Sequence, residues 1–241
     1  LYMEEKASTD DITAGSWTIT AKAVGMGESG WAYKQVVVHP DDVSNMVFVT
    51  PPREQMAGQR SLVMQFQTRD SYGNPNPLDE NVTCNLISSS ARPFFYLTSD
   101  STETTTQVTV SSDTYQAQFY YMDERTGNPE VRVQAPVEKG WNDAVQVQTI
   151  TPAPISKLVF VTTGYTAVDP LIAGTTSRMM IVETQDEYGN TAPVESDMKI
   201  ELYSQPAGYW SCSTSSTVWQ STTTLQLSAD TAQVLSLIHI S

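Results

Sequence analysis

Side chains that could do chemistry are few in this 241-residue chain, and their spacing argues against catalysis. There are two histidines, His39 and His239, and two cysteines, Cys84 and Cys212. A Ser-His-Asp or Cys-His nucleophile needs a histidine within hydrogen-bond reach of the attacking atom. A histidine–cysteine zinc site needs several such ligands together. If His239 belongs to an adaptor-like tail, only His39 remains, beside Pro40 in a connecting segment, and neither constellation is expected. Cys84 alternates with Val82 and Leu86 and is expected as a small core residue. Cys212, in a Ser-rich stretch, is expected as an unpaired thiol. Carboxylates come as adjacent pairs: Glu4-Glu5, Asp10-Asp11, Asp41-Asp42, Asp79-Glu80 and Asp123-Glu124. Glycosidase chemistry needs two carboxyls facing each other across a cleft, whereas neighbours on a strand point to opposite faces. These pairs are therefore read as solvated surface acids. Gly25-Met26-Gly27-Glu28-Ser29-Gly30 fits G-x-G-x-x-G. A strand-like run, Trp31 to Val38, follows it instead of the helix whose N-terminus would hold a pyrophosphate. That segment is expected to be a hairpin loop. No catalytic residue, enzymatic activity or cofactor is assigned.

Binding chemistry leaves two weaker candidates. Asp70 and Asn74, with their later equivalents Asp186 and Asn190, carry side-chain oxygens that could ligate calcium. The competing reading is a turn. Gly73 and Gly189 supply a positive φ, and Asp and Asn side chains bond their own backbone. A linker site using Asp41-Asp42 is disfavoured because the second linker has Ala153-Pro154 there. Trp31 and Trp141 recur at one hairpin and could stack a sugar; the competing reading is packing against the fold. Asn81-Val82-Thr83 is a glycosylation sequon, informative only in a eukaryote.

Composition narrows the class. Lys and Arg number 13 against 27 Asp and Glu, a formal charge of −14 with a pI near 4.4. Nucleic acid and anionic lipid need clustered cations, so neither is an expected partner. Ser, Thr, Val, Tyr and Ile are abundant and helix-forming runs are missing, which favours strands. No apolar run approaches the ~20 residues of a membrane span. The chain begins at Leu1, without an initiator Met, and is read as a piece from inside a longer protein.

The elements that must position these residues recur. Ser44-Asn45-Met46-Val47-Phe48-Val49-Thr50 returns as Ser156-Lys157-Leu158-Val159-Phe160-Val161-Thr162, and Asp70-Ser71-Tyr72-Gly73-Asn74 returns as Asp186-Glu187-Tyr188-Gly189-Asn190. Ala57-Gly58 matches Ala173-Gly174. Leu1 to Lys6 matches Tyr120 to Arg125, and Gly30-Trp31 matches Gly140-Trp141. The expected organisation is the end of one repeat (1–43), a whole repeat (44–154), most of a third (155–234), and a tail (235–241). The junctions carry Pro40, Pro152 and Pro154, and proline stiffens a connection.

Within the whole repeat, strands are expected near 45–50, 61–68, 82–88, 93–98, 105–110, 116–122, 129–135 and 143–150. Leu62, Met64, Phe66 and Thr68 share one face at period 2. Eight short strands with turns at Ala57-Gly58, Tyr72 to Pro75, Thr126 to Pro129 and Gly140 give an all-β chain of tandem immunoglobulin-like sandwiches, one complete and two truncated. The runs Met46 to Thr50, Asp70 to Pro75 and Phe119 to Asp123 resemble bacterial immunoglobulin-like repeats of the invasin/intimin type. The resemblance implies a structural or adhesive module of a large cell-surface or extracellular protein, without catalytic residues. It implies as partners the neighbouring repeats of the chain, then other surface proteins, host receptors or glycans. The alternative is a carbohydrate-binding accessory region of a secreted hydrolase.

Two expectations concern the ends. Ala232-Gln233-Val234 is matched to Ala117-Gln118-Phe119, after which Leu235 to Ser241 reads like a translated sequencing adaptor. Residues 155–234 would then lack the strands matching Tyr120–Ile150, and residues 1–43 would carry such strands without a domain. Such halves can complement one another between molecules.

Overall fold

The computed structural model describes residues 14–25, 30–162, 172, 175, 180–203, 210–213 and 223–240. It divides into two units. The first comprises residues 1–55, 59–123 and 128–149; the second comprises 56–58, 124–127 and 150–241.

The first unit opens with an antiparallel hairpin, β1 (Gly15–Ala21) and β2 (Ala32–Val38), paired from Gly15↔Val38 to Ala21↔Ala32. The G-x-G-x-x-G run therefore joins two antiparallel strands; its residues 26–29 lie outside the described residues. Next come β3 (Asn45–Phe48), β4 (Glu54–Met56), β5 (Met64–Arg69), β6 (Val82–Ser88), β7 (Pro93–Tyr96), β8 (Gln107–Val110), β9 (Gln116–Asp123), β10 (Glu130–Gln134), β11 (Ala144–Val147) and β12 (Thr149–Thr151). They form two four-stranded sheets, ordered β3-β5-β9-β7 and β11-β10-β6-β8; β4 and β12, whose last residues are counted with the second unit, pair with each other. This is an immunoglobulin-like sandwich.

Alternation explains the core. Met64, Phe66 and Thr68 on β5, Phe119 and Tyr121 on β9, and Val131 and Val133 on β10 are all fully buried. Phe119 meets Phe48, Phe66 and Phe95 with ring centroids 5.9–6.5 Å apart. Cys84 is buried with Sγ 3.7 Å from Met46 Sδ, one side chain from each sheet. Leu62 departs from its expected place. It precedes β5 and is 74% exposed, because the ladder with β9 stops at Met64↔Phe119 and Ser61, not Leu62, then bonds Tyr121 C=O, a one-residue slip that turns Leu62 to the other face. The expected strand 143–150 is split at Gln148, which is buried; its Oε1 accepts a bond from Arg53 N–H.

The second unit holds β13 (Lys157–Phe160), β14 (Met180–Gln185), β15 (Met198–Glu201), β16 (Trp210–Ser213), β17 (Thr224–Leu227) and β18 (Gln233–Ile240). Its sheets are β13-β14-β18-β16, in the same order as β3-β5-β9-β7, and the pair β15-β17, equivalent to β6-β8. Val182, Val194, Ile200, Leu202, Leu225 and Leu227 form its core.

Register corrects the match at the tail. Gln233 pairs with Glu183 as Gln116 pairs with Gln67, and Asp230 and Asp113 share a positive φ of 61° and 60°. Gln233-Val234 therefore stands at Gln116-Ala117, two residues from the sequence match. Residues 235–240 occupy the place of the rest of β9, pairing with β14 and β16. Among the described residues of the second unit no strand stands in the place of β4, β10, β11 or β12. Trp210 to Ser213, including Cys212, and Ser236 to Ile240 are described by their pairing alone.

Candidate functional site

The Asp-x-Tyr-Gly-Asn turns form the same site twice. Asp70 is fully buried; its Oδ1 accepts from Tyr72 N–H (2.9 Å) and Asn74 N–H (2.8 Å). Oδ2 accepts from Asn74 Nδ2 (2.8 Å) and from Asp41 N–H (3.1 Å). Asp186 repeats this. Its Oδ1 accepts from Tyr188 N–H (3.0 Å) and Asn190 N–H (2.8 Å), and its Oδ2 accepts from Asn190 Nδ2 (2.8 Å) and Ala153 N–H (3.1 Å). Gly73 and Gly189 close the turns at φ of 87° and 89°, which glycine adopts without a Cβ penalty.

The outer ends of these networks hold earlier parts of the chain. Asn74 Oδ1 accepts from Ala14 N–H (2.8 Å), and Asn190 Oδ1 accepts from Thr126 N–H (3.1 Å). Asn190 Nδ2 also donates to Glu124 C=O (2.8 Å), and Asn76 Nδ2 donates to Asp41 C=O (2.6 Å). The partners are themselves equivalent. Asp41 to Ala153 and Ala14 to Thr126 are both steps of 112 residues, the step that relates Met46 to Leu158. Each buried aspartate thus fixes its own turn and the segment at Asp41 or Ala153, and the asparagine of the same turn holds the backbone at Ala14 or Thr126.

Burial alone would raise both carboxyls. The Asn74 side-chain amide and the N–H groups of Asn74, Asp41 and Tyr72 outweigh it and hold Asp70 below its ordinary value. Asp186 is held low likewise by Asn190, Ala153 and Tyr188. Every carboxylate oxygen of the two calcium candidates already accepts two N–H bonds. Among the described residues, no three His, Cys, Asp or Glu side chains converge.

The other candidates fall elsewhere. Trp31 and Trp141 are half-buried, and each carries a lysine ammonium over its ring: Lys22 Nζ at 4.1 Å and Lys139 Nζ at 5.7 Å from the centroid. A cation–π partner occupies that side of each indole. Asp123 corrects the reading of the acid pairs. It is fully buried, accepting from Tyr121 Oη and from Ser90 Oγ (2.8 Å). Tyr121 Oη also meets Ser88 Oγ at 2.9 Å. Burial, and then the bond to Asp123, pushes the Tyr121 phenol far above its ordinary range. Glu183 is a second buried acid that pattern reading missed, bonded by Gln185 Nε2 (2.7 Å) and Gln233 Nε2. In the second unit an open groove of about 510 Å³ is lined by Ile155, Ala192, Val194, Glu195 and Met198 among others.

No protein-family model matches the chain. No curated protein sequence matches it. Among solved structures, it is similar to domains 4–9 of the surface layer protein SbsC, with 10% identity and a TM-score of 0.34 over 95% of this chain. It is also similar to the Escherichia coli adhesin FdeC, with 15% identity and a TM-score of 0.37 over 95% of this chain and 66% of that one. A third similarity, to a β-glycosidase from Bacteroides vulgatus, has 11% identity and a TM-score of 0.36 over 55% of this chain. The chain spans 31% of the SbsC segment and 17% of the glycosidase.

Proposed function

We propose that this chain is a structural module of a large extracellular or cell-surface protein, in which immunoglobulin-like repeats follow one another as a semi-rigid rod. The rod spaces or presents a functional end of the parent protein. One observation carries this reading: the aspartate turn binds its linker and the loop of the repeat before it, in both places where the sequence allows it. A freely jointed array would have no use for a buried carboxylate spent on a linker N–H. The acidity and the shortage of reactive groups agree with a passive, solvated role.

Nitroxide pairs at the exposed Glu103 and Lys199 test the coupling. The expected result is a narrow distance distribution that broadens in Asp186→Ala with both repeats still folded. A distribution equally broad before and after the substitution would remove the rod reading.

A further inference from the structure

The outward face of the sheet β3-β5-β9-β7 carries side chains whose types the core does not dictate. Alternation sends Met64, Phe66, Thr68, Phe119 and Tyr121 inward and leaves Gln65, Gln67 and Arg69 of β5 and Gln116, Gln118 and Tyr120 of β9 on the other side. Register places Gln65 opposite Gln118 and Gln67 opposite Gln116. The amides meet across the strands: Gln65 Nε2 donates to Gln118 Oε1 (3.2 Å), and Gln67 Nε2 donates to Gln116 Oε1 (3.5 Å). Arg69 sets the direction of the second rung, since its Nε (3.3 Å) and Nη2 (3.0 Å) both donate to Gln67 Oε1. Each rung ends on amide N–H groups, at Gln118 and Gln116, and both residues are exposed.

Sheet formation does not require these amides. In the second unit the same two rungs are Ile181 with Leu235 and Glu183 with Gln233. Charge is also unevenly placed. The chain holds 27 Asp and Glu, yet the four strands of this sheet carry one, Asp123, which is fully buried. Beside the rungs lie Val47, 39% exposed and opposite Gln67, and half-buried Tyr120, opposite Tyr96. An occupant of this face strips water from no carboxylate, which removes the largest cost of covering polar surface.

A neutral, hydroxyl-rich chain has the matching chemistry. Carboxamides donate to and accept from hydroxyls without carrying charge. An aromatic ring beside them covers C–H surface. Polyanions are opposed by the chain's own charge of −14. Successive rungs stand ~7 Å apart along a strand, and neighbouring strands ~4.8 Å apart, so the amides form a flat grid and not a pocket. A flat occupant suits it, and an extended β-linked polysaccharide is a ribbon with hydroxyls along both edges. We infer that the outward face of β5 and β9 binds a neutral β-linked glycan, with Gln65, Gln67, Gln116 and Gln118 bonding its hydroxyls and Tyr120 lying against a sugar ring. This puts sugar contact on a different set of residues from Trp31 and Trp141, and it is independent of the rod reading.

Calorimetric titration of cellohexaose into the 241-residue chain tests this. Saturable binding is expected, weakened about tenfold or more when Gln116→Ala and Gln118→Ala are combined, since two hydrogen bonds to the sugar are lost. Gln118→Glu keeps the size of the side chain and replaces an outward donor by an acceptor, so it should weaken binding without disturbing the fold. Trp141→Ala should leave affinity unchanged. Absence of saturable binding, equal affinity in the glutamine variants, or loss in Trp141→Ala alone would each overturn the inference. So would tighter binding of polygalacturonate than of cellohexaose, or sedimentation showing a dimer that these glutamine substitutions dissolve.

Discussion

The ring of Tyr188 occupies the space a side chain at residue 58 would need. A Cβ built on Gly58 would lie 1.9 Å from Tyr188 Oη and 2.4 Å from Cζ, and Gly58 has a φ of +75°. Tyr188 belongs to the aspartate turn, so the Ala57-Gly58 pair seen as a bare turn signal is also a surface on which that turn rests. Gly58→Ala must swing the ring aside and hold a Cβ in left-handed backbone. It should destabilise the second unit by about 1–3 kcal/mol. Adding Tyr188→Ala to Gly58→Ala should cost less than Tyr188→Ala alone, because the ring has already lost its seat. Strictly additive costs in denaturant titrations would show that the two residues do not act together.

Acid should loosen both turns. Asp70 and Asp186 have folded pKa values held below the ordinary carboxylate value by the N–H groups around them. Their contribution is therefore fully present above the unfolded value of about 3.9 and is lost as pH falls through the lower, folded value. Stability should fall below about pH 4, and in Asp70→Asn or Asp186→Asn that acid branch should flatten. At neutral pH each substitution should cost about 2–4 kcal/mol, because donors aimed at a carboxylate lose their acceptor. Thermal unfolding from pH 2 to 7 checks this, and an unchanged acid branch would count against the two aspartates as its source.

The buried phenol–carboxylate pair of β9 makes a separate prediction. Tyr121→Phe leaves Asp123 buried with Ser90 Oγ and without its phenol donor. The expected loss is about 2–3 kcal/mol, with the fold retained. Asp123→Asn should cost less, since an amide oxygen can still accept from the phenol. Equal losses in urea titrations would mean that the charge on Asp123 contributes as much as the hydrogen bond.

Much of this fold was legible in the sequence, because period-2 alternation and glycine turns are local signals. Met64, Phe66 and Thr68 lie where alternation puts them. Leu62 does not, because alternation cannot show where pairing with the partner strand slips by a residue. The tail was misregistered by two residues for a related reason. Ala-Gln occurs at 117–118 and 232–233, and only the ladder to β14 shows which pairing is made. Asp70 and Asp186 were legible as turn residues. Their bonds to Asp41 and Ala153 were not, since backbone donors leave no trace in residue type. Asp123 was misread for the opposite reason: an acid beside an acid looks solvated until a phenol is found above it.

Cys84 offers a probe of the first unit. Burial, and then the negative charge of Asp143, pushes its thiol up to about 11. A thiolate is the reactive form, so the folded thiol is both shielded and protonated at neutral pH. In a Cys212→Ser background, an aromatic disulfide reagent should reach Cys84 only through opening of the sandwich. At pH 8 the reaction should be slower than in the unfolded chain by roughly the opening equilibrium, on the order of 10³-fold or more. The same rate should rise in Tyr121→Phe by the stability that variant loses, since labelling tracks the population of the open form. Modification of Cys84 at the unfolded rate would place it outside a cooperatively closed core, and an unchanged rate in Tyr121→Phe would separate its opening from global unfolding.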